Sequence, residues 1–116
     1  MSENNIFTDF KVQTLVEEKT INFEKAVSGK DFYLINIWSS WCEPCKDESD
    51  MLLELKSDTT IKMIGINYKD KKRDALNFLK SYGDPFEQIF VDKQGIISIN
   101  FGAYGVPETF LINNDN

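Results

Sequence analysis

Two cysteines separated by two residues, Cys42 and Cys45, are the side chains of this sequence best suited to chemistry. They follow an apolar run and precede an amphipathic one, so they are predicted to lie where a buried strand passes into a helix. A helix N-terminus stabilises a thiolate, which is the nucleophile of thiol–disulfide exchange. Pro44 suits the first helical turn because it lacks an N–H. The pattern favours a redox-active dithiol in which Cys42 is the exposed attacking thiol and Cys45 the deeper, resolving one.

Other uses of this cysteine pair remain open from the residues alone. Half of a zinc site is disfavoured because the chain has only two cysteines and no histidine. A purely structural disulfide is disfavoured because a four-residue ring removes little chain entropy. The absence of histidine also excludes Ser-His-Asp and Cys-His catalysis and haem ligated by a histidine of this chain. The chemistry must therefore use thiols, carboxylates, hydroxyls or backbone groups.

Two carboxylates are predicted as partners in proton transfer. Glu48 lies three residues after Cys45 on the predicted helix, so the two side chains are neighbours. Glu108 follows Pro107 and directly precedes the strand predicted at residues 109–113. Either glutamate can equally be a solvated surface residue, and Pro107 an ordinary proline at a strand edge. The residues alone favour a trans bond before Pro107, because most X–Pro bonds in folded proteins are trans.

Aromatic and charged side chains flank the cysteine pair. Trp38 ends the apolar run and is predicted to lie in the core. Trp41 adjoins Cys42 and is predicted to form an apolar surface around it. The charged run at residues 69–74 is predicted to be a solvated loop.

The elements that must position these residues alternate between strands and helices. Strands are predicted at residues 32–38, 61–67, 88–91 and 109–113. Helices are predicted at residues 22–27, 45–56 and 73–82. Residues 96–101 are rich in β-branched side chains and fit a strand or a helix. The order predicts an α/β fold with an at least partly parallel sheet.

Composition excludes several classes of protein. The 116 residues include 13 basic and 19 acidic side chains, so the net charge of −6 disfavours nucleic acid as a partner. With 41% hydrophobic and 13% aromatic residues, the chain is too apolar for intrinsic disorder. No run reaches the roughly 18 apolar residues of a membrane-spanning helix. We expect a polar lead-in at residues 1–9, without a hydrophobic signal core, and one folded domain at residues 10–116.

Residues 34–48, LINIWSSWCEPCKDE, resemble the thioredoxin-like reductases of cytochrome c maturation, of the DsbE/CcmG type and the related ResA type. The resemblance continues through residues 65–70, GINYKD, and 104–112, YGVPETFLI, and it covers the chain from about residue 10 to residue 113. This combination is more specific than a Cys-x-x-Cys pair alone. Asn36 stands where ordinary thioredoxins have an aspartate.

The resemblance implies a thioredoxin-like fold, with a central mixed sheet flanked by helices and a short helix at residues 95–101. It implies that Cys42 attacks and Cys45 resolves, and that Pro107 is a cis-proline beside the disulfide. Glu48 matches an acidic residue that tunes the thiols, and Glu108 the acid next to the cis-proline. Substrate contacts are expected from Trp41, Glu43, Pro44, Tyr104 and Val106. No metal is expected, and no cofactor beyond the redox-active Cys42–Cys45 disulfide.

The resemblance also implies a function. The protein would reduce the CxxCH disulfide of apocytochrome c, or of a partner thioprotein, before haem attachment. A membrane thiol reductase of the DsbD/CcdA kind would supply the electrons. The protein would be membrane-tethered on the periplasmic or extracytoplasmic face of the inner membrane, although the residues present contain no anchor. Because this fold normally continues with a further strand and helix, we expect a C-terminally truncated domain whose strand at 109–113 is an exposed edge.

Alternative functions are a broad-range thioredoxin-like reductase of other extracytoplasmic substrates, a disulfide-forming oxidase and a non-enzymatic thiol-based binding module. Copper chaperones of this fold use CxxxC and a histidine, which this chain lacks. Reduction of insulin discriminates between a broad-range reductase and a specific one, because only the former reduces it well.

Overall fold

The computed structural model describes residues 10–29 and 32–113. The predicted lead-in at residues 1–9 and the end of the predicted domain at residues 114–116 lie outside the described residues. The strands are β1 Lys11–Thr14, β2 Thr20–Asn22, β3 Phe32–Trp38, β4 Ile61–Tyr68, β5 Gln88–Asp92 and β6 Glu108–Asn113. The helices are α1 Phe23–Ala26, α2 Glu43–Leu55, α3 Lys72–Tyr82 and α4 Ile96–Asn100.

The strands form one mixed sheet in the order β2-β1-β5-β4-β3-β6. Strand β3 pairs in parallel with β4, and β4 in parallel with β5. Strand β6 pairs antiparallel with β3, while β1 pairs antiparallel with both β2 and β5. The predicted α/β class with a central mixed sheet is therefore confirmed. In the described part of the chain, β6 is the outermost strand on its side of the sheet.

Strand β3 is apolar except at Asn36 because both of its faces are covered. Its side chains at Leu34 and Trp38 join a buried cluster with residues of α2 and α3. The alternate side chains, at Tyr33, Ile35 and Ile37, join a second cluster that includes residues of α1 and the end of α4. Each fully buried apolar side chain contributes about 1.5–3 kcal/mol to folding. The strand that precedes the cysteine pair is thus held from two sides.

Residues 96–101, whose side chains fit a strand or a helix, contain helix α4, as the resemblance implied. The carboxylate of Asp92 accepts hydrogen bonds from the N–H of Ile97 at 3.2 Å and the N–H of Ser98 at 2.9 Å. It also accepts one from the hydroxyl of Ser98 at 2.7 Å. Because these bonds satisfy donors of the first helical turn, they outweigh the preference of the β-branched residues for a strand.

Strands β1 and β2 are absent from the sequence-based prediction. Only Val12 is buried in β1, and β2 has three residues, so neither has a clear alternation of apolar and polar side chains. The other predicted elements match the observed bounds to within two residues. Asn22 caps α1, since its side chain accepts the N–H of Glu24 at 2.8 Å. No helix in the described ranges is both long enough and apolar enough to cross a bilayer.

Candidate active site

The two cysteines form a disulfide at the N-terminus of α2, and their Cα atoms lie 5.3 Å apart. Cys42 is the N-cap residue of this helix, and its Sγ accepts the backbone N–H of Cys45 at 3.2 Å. A helix N-terminus is a position that stabilises a thiolate, because the first N–H groups of the helix have no partner within it. Once the disulfide is reduced, the Cys42 sulfur therefore lies where the helix would stabilise a thiolate.

The expectation that Cys42 is exposed is wrong, because both cysteines are only 4% exposed. Their side chains belong to the apolar cluster that also contains Leu34, Trp38 and Leu52. This cluster covers both sulfurs, so Cys42 is not distinguished from Cys45 by its exposure. The difference between them lies in their positions, since Cys42 caps the helix and Cys45 lies within its first turn.

Glu43 and Pro44 lie between the cysteines and are exposed. Pro44 occupies the first turn of α2, as predicted. Glu43 accepts a hydrogen bond from the Nζ of Lys46 at 2.8 Å, and this bond raises the pKa of Lys46. The two residues form the exposed surface of the redox turn, where substrate contacts are expected.

Glu48 is half-buried and is held by a residue of the sheet. Asn36 is buried on β3, and its Nδ2 donates to the Oε1 of Glu48 at 3.4 Å and to the Oγ1 of Thr109 at 3.1 Å. The amide thus joins β3, α2 and β6 through its two N–H bonds. An aspartate at position 36 would offer no N–H to either partner. Glu48 is therefore not a fully solvated helix residue.

The loop before β6 carries the predicted proline, and the bond between Val106 and Pro107 is cis. The Oε2 of Glu108 accepts the backbone N–H of Tyr104 and, at 3.1 Å, that of Gly105. Glu108 therefore closes the loop that precedes it, a role that sequence reasoning did not anticipate. The side chain of Tyr104 is fully exposed, whereas Val106 packs against the cluster that contains the cysteines.

The sheet explains why this loop belongs to the site. Because β6 runs antiparallel to β3, Glu108 lies opposite Ile37. The start of β6 is therefore beside the end of β3, from which the chain continues to Cys42. Of the residues predicted for the site, those of the redox turn and those of the loop at 104–108 are brought to the same end of the sheet.

The charged run at residues 69–74 is wrongly predicted as only a solvated loop. Asp70 accepts the N–H and the hydroxyl of Ser40, each at 2.7 Å, and the Nδ2 of Asn67 at 3.1 Å. Helix α3 already begins at Lys72. Within this run, Asp70 binds the neighbouring loop that contains Ser40, and the residues from Lys72 onward form the first turn of a surface helix. The sequence signal for this contact was the GINYKD segment, which the resemblance included without a role for Asp70.

Trp41 is attached to the same loop. Its Nε1 donates to the carbonyl oxygen of Lys69 at 3.0 Å, and its ring lies 6.2 Å from that of Tyr68. The side chain remains 56% exposed, so it provides apolar surface next to Cys42, as predicted. Trp38, in contrast, is a core residue as predicted, and packs against Phe78 and Phe86.

The disulfide predicted between Cys42 and Cys45 is present. In residues 10–29 and 32–113, no three histidine, cysteine or acidic side chains are grouped so that they could hold a metal ion.

Comparisons with known proteins identify the relatives of the chain. Residues 4–116 match the AhpC/TSA family. The chain is 41% identical over 92 residues to the thiol:disulfide interchange protein CycY of Rhizobium leguminosarum bv. viciae, covering 79% of this chain and 49% of that protein. It is 38% identical over 106 residues to the thiol:disulfide interchange protein DsbE of Yersinia pestis, covering 90% and 55%. The chain thus spans about half the length of these curated relatives.

Solved structures confirm the predicted fold. A secreted disulfide oxidoreductase of Mycobacterium tuberculosis, described as homologous to DsbE of E. coli, superimposes with a TM-score of 0.81 at 18% identity, covering 94% of this chain and 79% of that one. A thioredoxin-like protein from Aeropyrum pernix gives a TM-score of 0.76 at 17% identity, covering 93% and 76%. With a thioredoxin-like fold and a family match from residue 4 to residue 116, the chain belongs to the AhpC/TSA family.

Proposed function

We propose that this protein is an extracytoplasmic thiol–disulfide oxidoreductase that reduces the CxxCH disulfide of apocytochrome c, or of a partner thioprotein, before haem attachment. The observation that carries the proposal is the Cys42–Cys45 disulfide at the N-terminus of α2. The similarity to thiol:disulfide interchange proteins supports the exchange chemistry. The resemblance of the motifs to reductases of cytochrome c maturation supports the substrate.

The reaction is an exchange of two disulfides. The Cys42 thiolate attacks one sulfur of the substrate disulfide, forming a mixed disulfide and releasing the other substrate sulfur as a thiolate that takes a proton. Cys45 then loses its proton and attacks the sulfur of Cys42, so the mixed disulfide breaks and the substrate leaves as a dithiol. Two electrons pass to the substrate, and the Cys42–Cys45 disulfide forms again.

The surrounding residues have proposed roles in these steps. Glu48 lies one helical turn after Cys45 and takes the proton that Cys45 loses. The loop containing Pro107 binds the substrate chain beside the disulfide, and Glu108 keeps that loop closed through the N–H groups of Tyr104 and Gly105. The remaining proposed substrate contacts are Trp41, Glu43, Pro44, Tyr104 and Val106.

The same proposal includes the location and the source of electrons. A membrane thiol reductase of the DsbD/CcdA kind reduces the Cys42–Cys45 disulfide after each cycle. The whole protein is tethered at the extracytoplasmic face of the inner membrane, where apocytochromes c receive haem.

The test traps the mixed disulfide. The Cys45→Ala variant, with Cys42 reduced, is mixed with an oxidised CxxCH peptide and separately with insulin. We expect a covalent complex with the peptide that forms at least about tenfold faster than the complex with insulin, because a specific reductant recognises the segment. The Cys42→Ala variant is the matched control and forms neither complex. Equal rates with both substrates would favour a broad-range reductase, and no complex would contradict exchange through Cys42.

A further inference from the structure

Two loops meet directly before Cys42. The loop between β3 and α2 contributes Ser40, whose N–H and hydroxyl both donate to the carboxylate of Asp70 at 2.7 Å. The next residue, Trp41, donates from its Nε1 to the carbonyl oxygen of Lys69 at 3.0 Å. The two residues that precede Cys42 are therefore both bound by the loop between β4 and α3.

Asp70 is itself held firmly. Its Oδ2 accepts the Nδ2 of Asn67 at 3.1 Å, and its Oδ1 accepts the N–H of Lys71 at 2.9 Å. With the two bonds from Ser40, each carboxylate oxygen accepts two hydrogen bonds. Asn67 is buried at the end of β4, so this carboxylate is anchored to the sheet rather than to solvent. Because the Asp70 carboxylate is held by Asn67 and Lys71, its two bonds to Ser40 fix the position of Ser40.

The position of Ser40 determines where the chain enters the redox turn. The N–H of Cys42 donates to the carbonyl oxygen of Ser39 at 3.4 Å, so the turn begins inside the segment that Asp70 holds. Cys45 is fixed by helix α2, whereas Cys42 precedes the helix. The geometry points to Asp70 as a positioning residue that keeps Cys42 beside Cys45 and thereby favours the disulfide over the dithiol.

This inference rests on thiol–disulfide exchange at the proposed redox pair, but not on the identity of its substrate. In a glutathione buffer, two glutathione molecules are oxidised to their disulfide while the Cys42–Cys45 disulfide takes up two electrons and two protons. Holding the two thiols side by side raises their effective concentration and favours ring closure. Releasing the loop gives the dithiol form more conformational freedom, so the equilibrium shifts toward the dithiol.

The experiment measures the equilibrium constant with glutathione, by trapping free thiols with an alkylating reagent at a series of buffer ratios. In Asp70→Asn, an N–H₂ group replaces one acceptor and faces the donors of its neighbours. We expect a shift toward the dithiol of about tenfold, which equals about 30 mV. Ser40→Ala loses only the hydroxyl bond, and we expect about threefold. Asp74→Asn removes the same charge from the same segment, where Asp74 pairs with Arg73, and serves as the control.

A merely structural role for Asp70 predicts a different result. It would lower the midpoint of thermal unfolding in Asp70→Asn and leave the equilibrium constant within about twofold of the wild-type value, which overturns the inference. We also combine Asp70→Asn with Ser40→Ala. The fold-change in the equilibrium constant of this double variant should be smaller than the product of the two single fold-changes, because both substitutions remove the same contact. If Asp70→Asn does not fold, Ser40→Ala carries the test, because it keeps the backbone bond to Asp70.

The test of Asp70 does not depend on which substrate the protein reduces. A shift in these variants, together with a wild-type protein that fails to reduce the CxxCH peptide, would contradict only the proposed function. Normal reduction of the peptide by a wild-type protein whose equilibrium is unaffected by Asp70→Asn would contradict only the role of Asp70.

Discussion

The Nδ2 of Asn36 lies 3.4 Å from a carboxylate oxygen of Glu48, so strand β3 and helix α2, which begins at the cysteine pair, share a polar contact. The same amide binds Thr109 of the strand on the other side. Both N–H groups of this polar side chain, in the middle of an otherwise apolar strand, therefore have acceptors. It also turns a helix glutamate toward the sheet, one turn after Cys45.

Replacing Asn36 by leucine should destabilise the fold. Leucine has a similar volume but leaves the carboxylate of Glu48 and the hydroxyl of Thr109 without their donor. We expect the free energy of unfolding to fall by about 2 kcal/mol, measured by urea denaturation at neutral pH. Asn77→Leu is the control, because Asn77 is exposed on α3. Equal losses in the two variants would show that the contacts of Asn36 contribute nothing specific.

The Glu48→Gln variant distinguishes a structural role of the Glu48 carboxylate from a role in proton transfer. The amide oxygen of glutamine still accepts from Asn36, so we expect the thermal midpoint to change little. Glutamine cannot take a proton, so resolution of the mixed disulfide by Cys45 should slow by at least about tenfold, measured in single-turnover experiments. Glu54→Gln, an exposed position on the same helix, is the control. An unchanged rate of resolution would remove Glu48 from the reaction.

Substitutions of Glu108 distinguish loop closure from proton transfer. Glu108→Ala frees the N–H groups of Tyr104 and Gly105, so we expect kcat/KM for a protein disulfide to fall by about fivefold. Exchange with glutathione should be retained, because a small thiol does not need the loop. Glu108→Gln retains an oxygen that accepts both N–H groups and should behave like the wild type. An equal fall of kcat/KM in both variants would indicate that the reaction requires the negative charge of the Glu108 carboxylate.

Gly65→Ala should be destabilising because the Trp38 side chain packs directly over this glycine. A Cβ atom there would lie 2.8 Å from the Nε1 of Trp38 and 2.9 Å from the Cδ2 of Phe86. Both rings are buried, so we expect a loss of about 1–3 kcal/mol in the free energy of unfolding. Gly105→Ala is the control, since nothing lies within 4 Å of its Cβ position. A tolerated Gly65→Ala would mean that the aromatic cluster adjusts freely.

The proposed direction of electron flow predicts the reduction potential. A reductant that is recharged by a donor should have a potential near that of thioredoxin, about −270 mV, in a glutathione or dithiothreitol buffer. A potential near −120 mV, at the oxidant end, would instead indicate a protein that forms disulfides. The measurement uses the wild-type chain and depends on no assumption about its substrate.

The elements nearest the cysteines were predictable because their patterns are strong. The run at residues 32–38 matches β3 residue for residue, since a strand covered on both faces has apolar side chains on both, here with the exception of Asn36. The redox turn was predictable from its spacing and from Pro44. These signals are local, so a single sequence contains them in full.

The elements and contacts that the residues left ambiguous or did not reveal depend on residues outside their own segments. Propensity left residues 96–101 ambiguous, because α4 is held by hydrogen bonds to Asp92, which precedes the segment. Strands β1 and β2 are too short for a periodic pattern, and become strands through pairing with each other and with β5. Asp70 binds Ser40, 30 residues away, and a charge run gives no indication of such a partner. The burial of Cys42 likewise results from packing that only the assembled cluster provides.

The antiparallel pairing of β6 with β3 has a consequence for the order in which the molecule is completed. The cysteines are 3 positions apart, whereas the contact between Asn36 and Thr109 spans 73 positions. The disulfide needs only the turn at residues 42–45 to form, whereas the pairing of β6 with β3 needs the chain from residue 32 to residue 113. The loop at residues 104–107 lies beside the redox turn only once β6 has paired with β3, and non-local pairing of this kind slows folding. The disulfide therefore depends only on a local turn, whereas the complete site depends on contacts between residues as much as 73 positions apart.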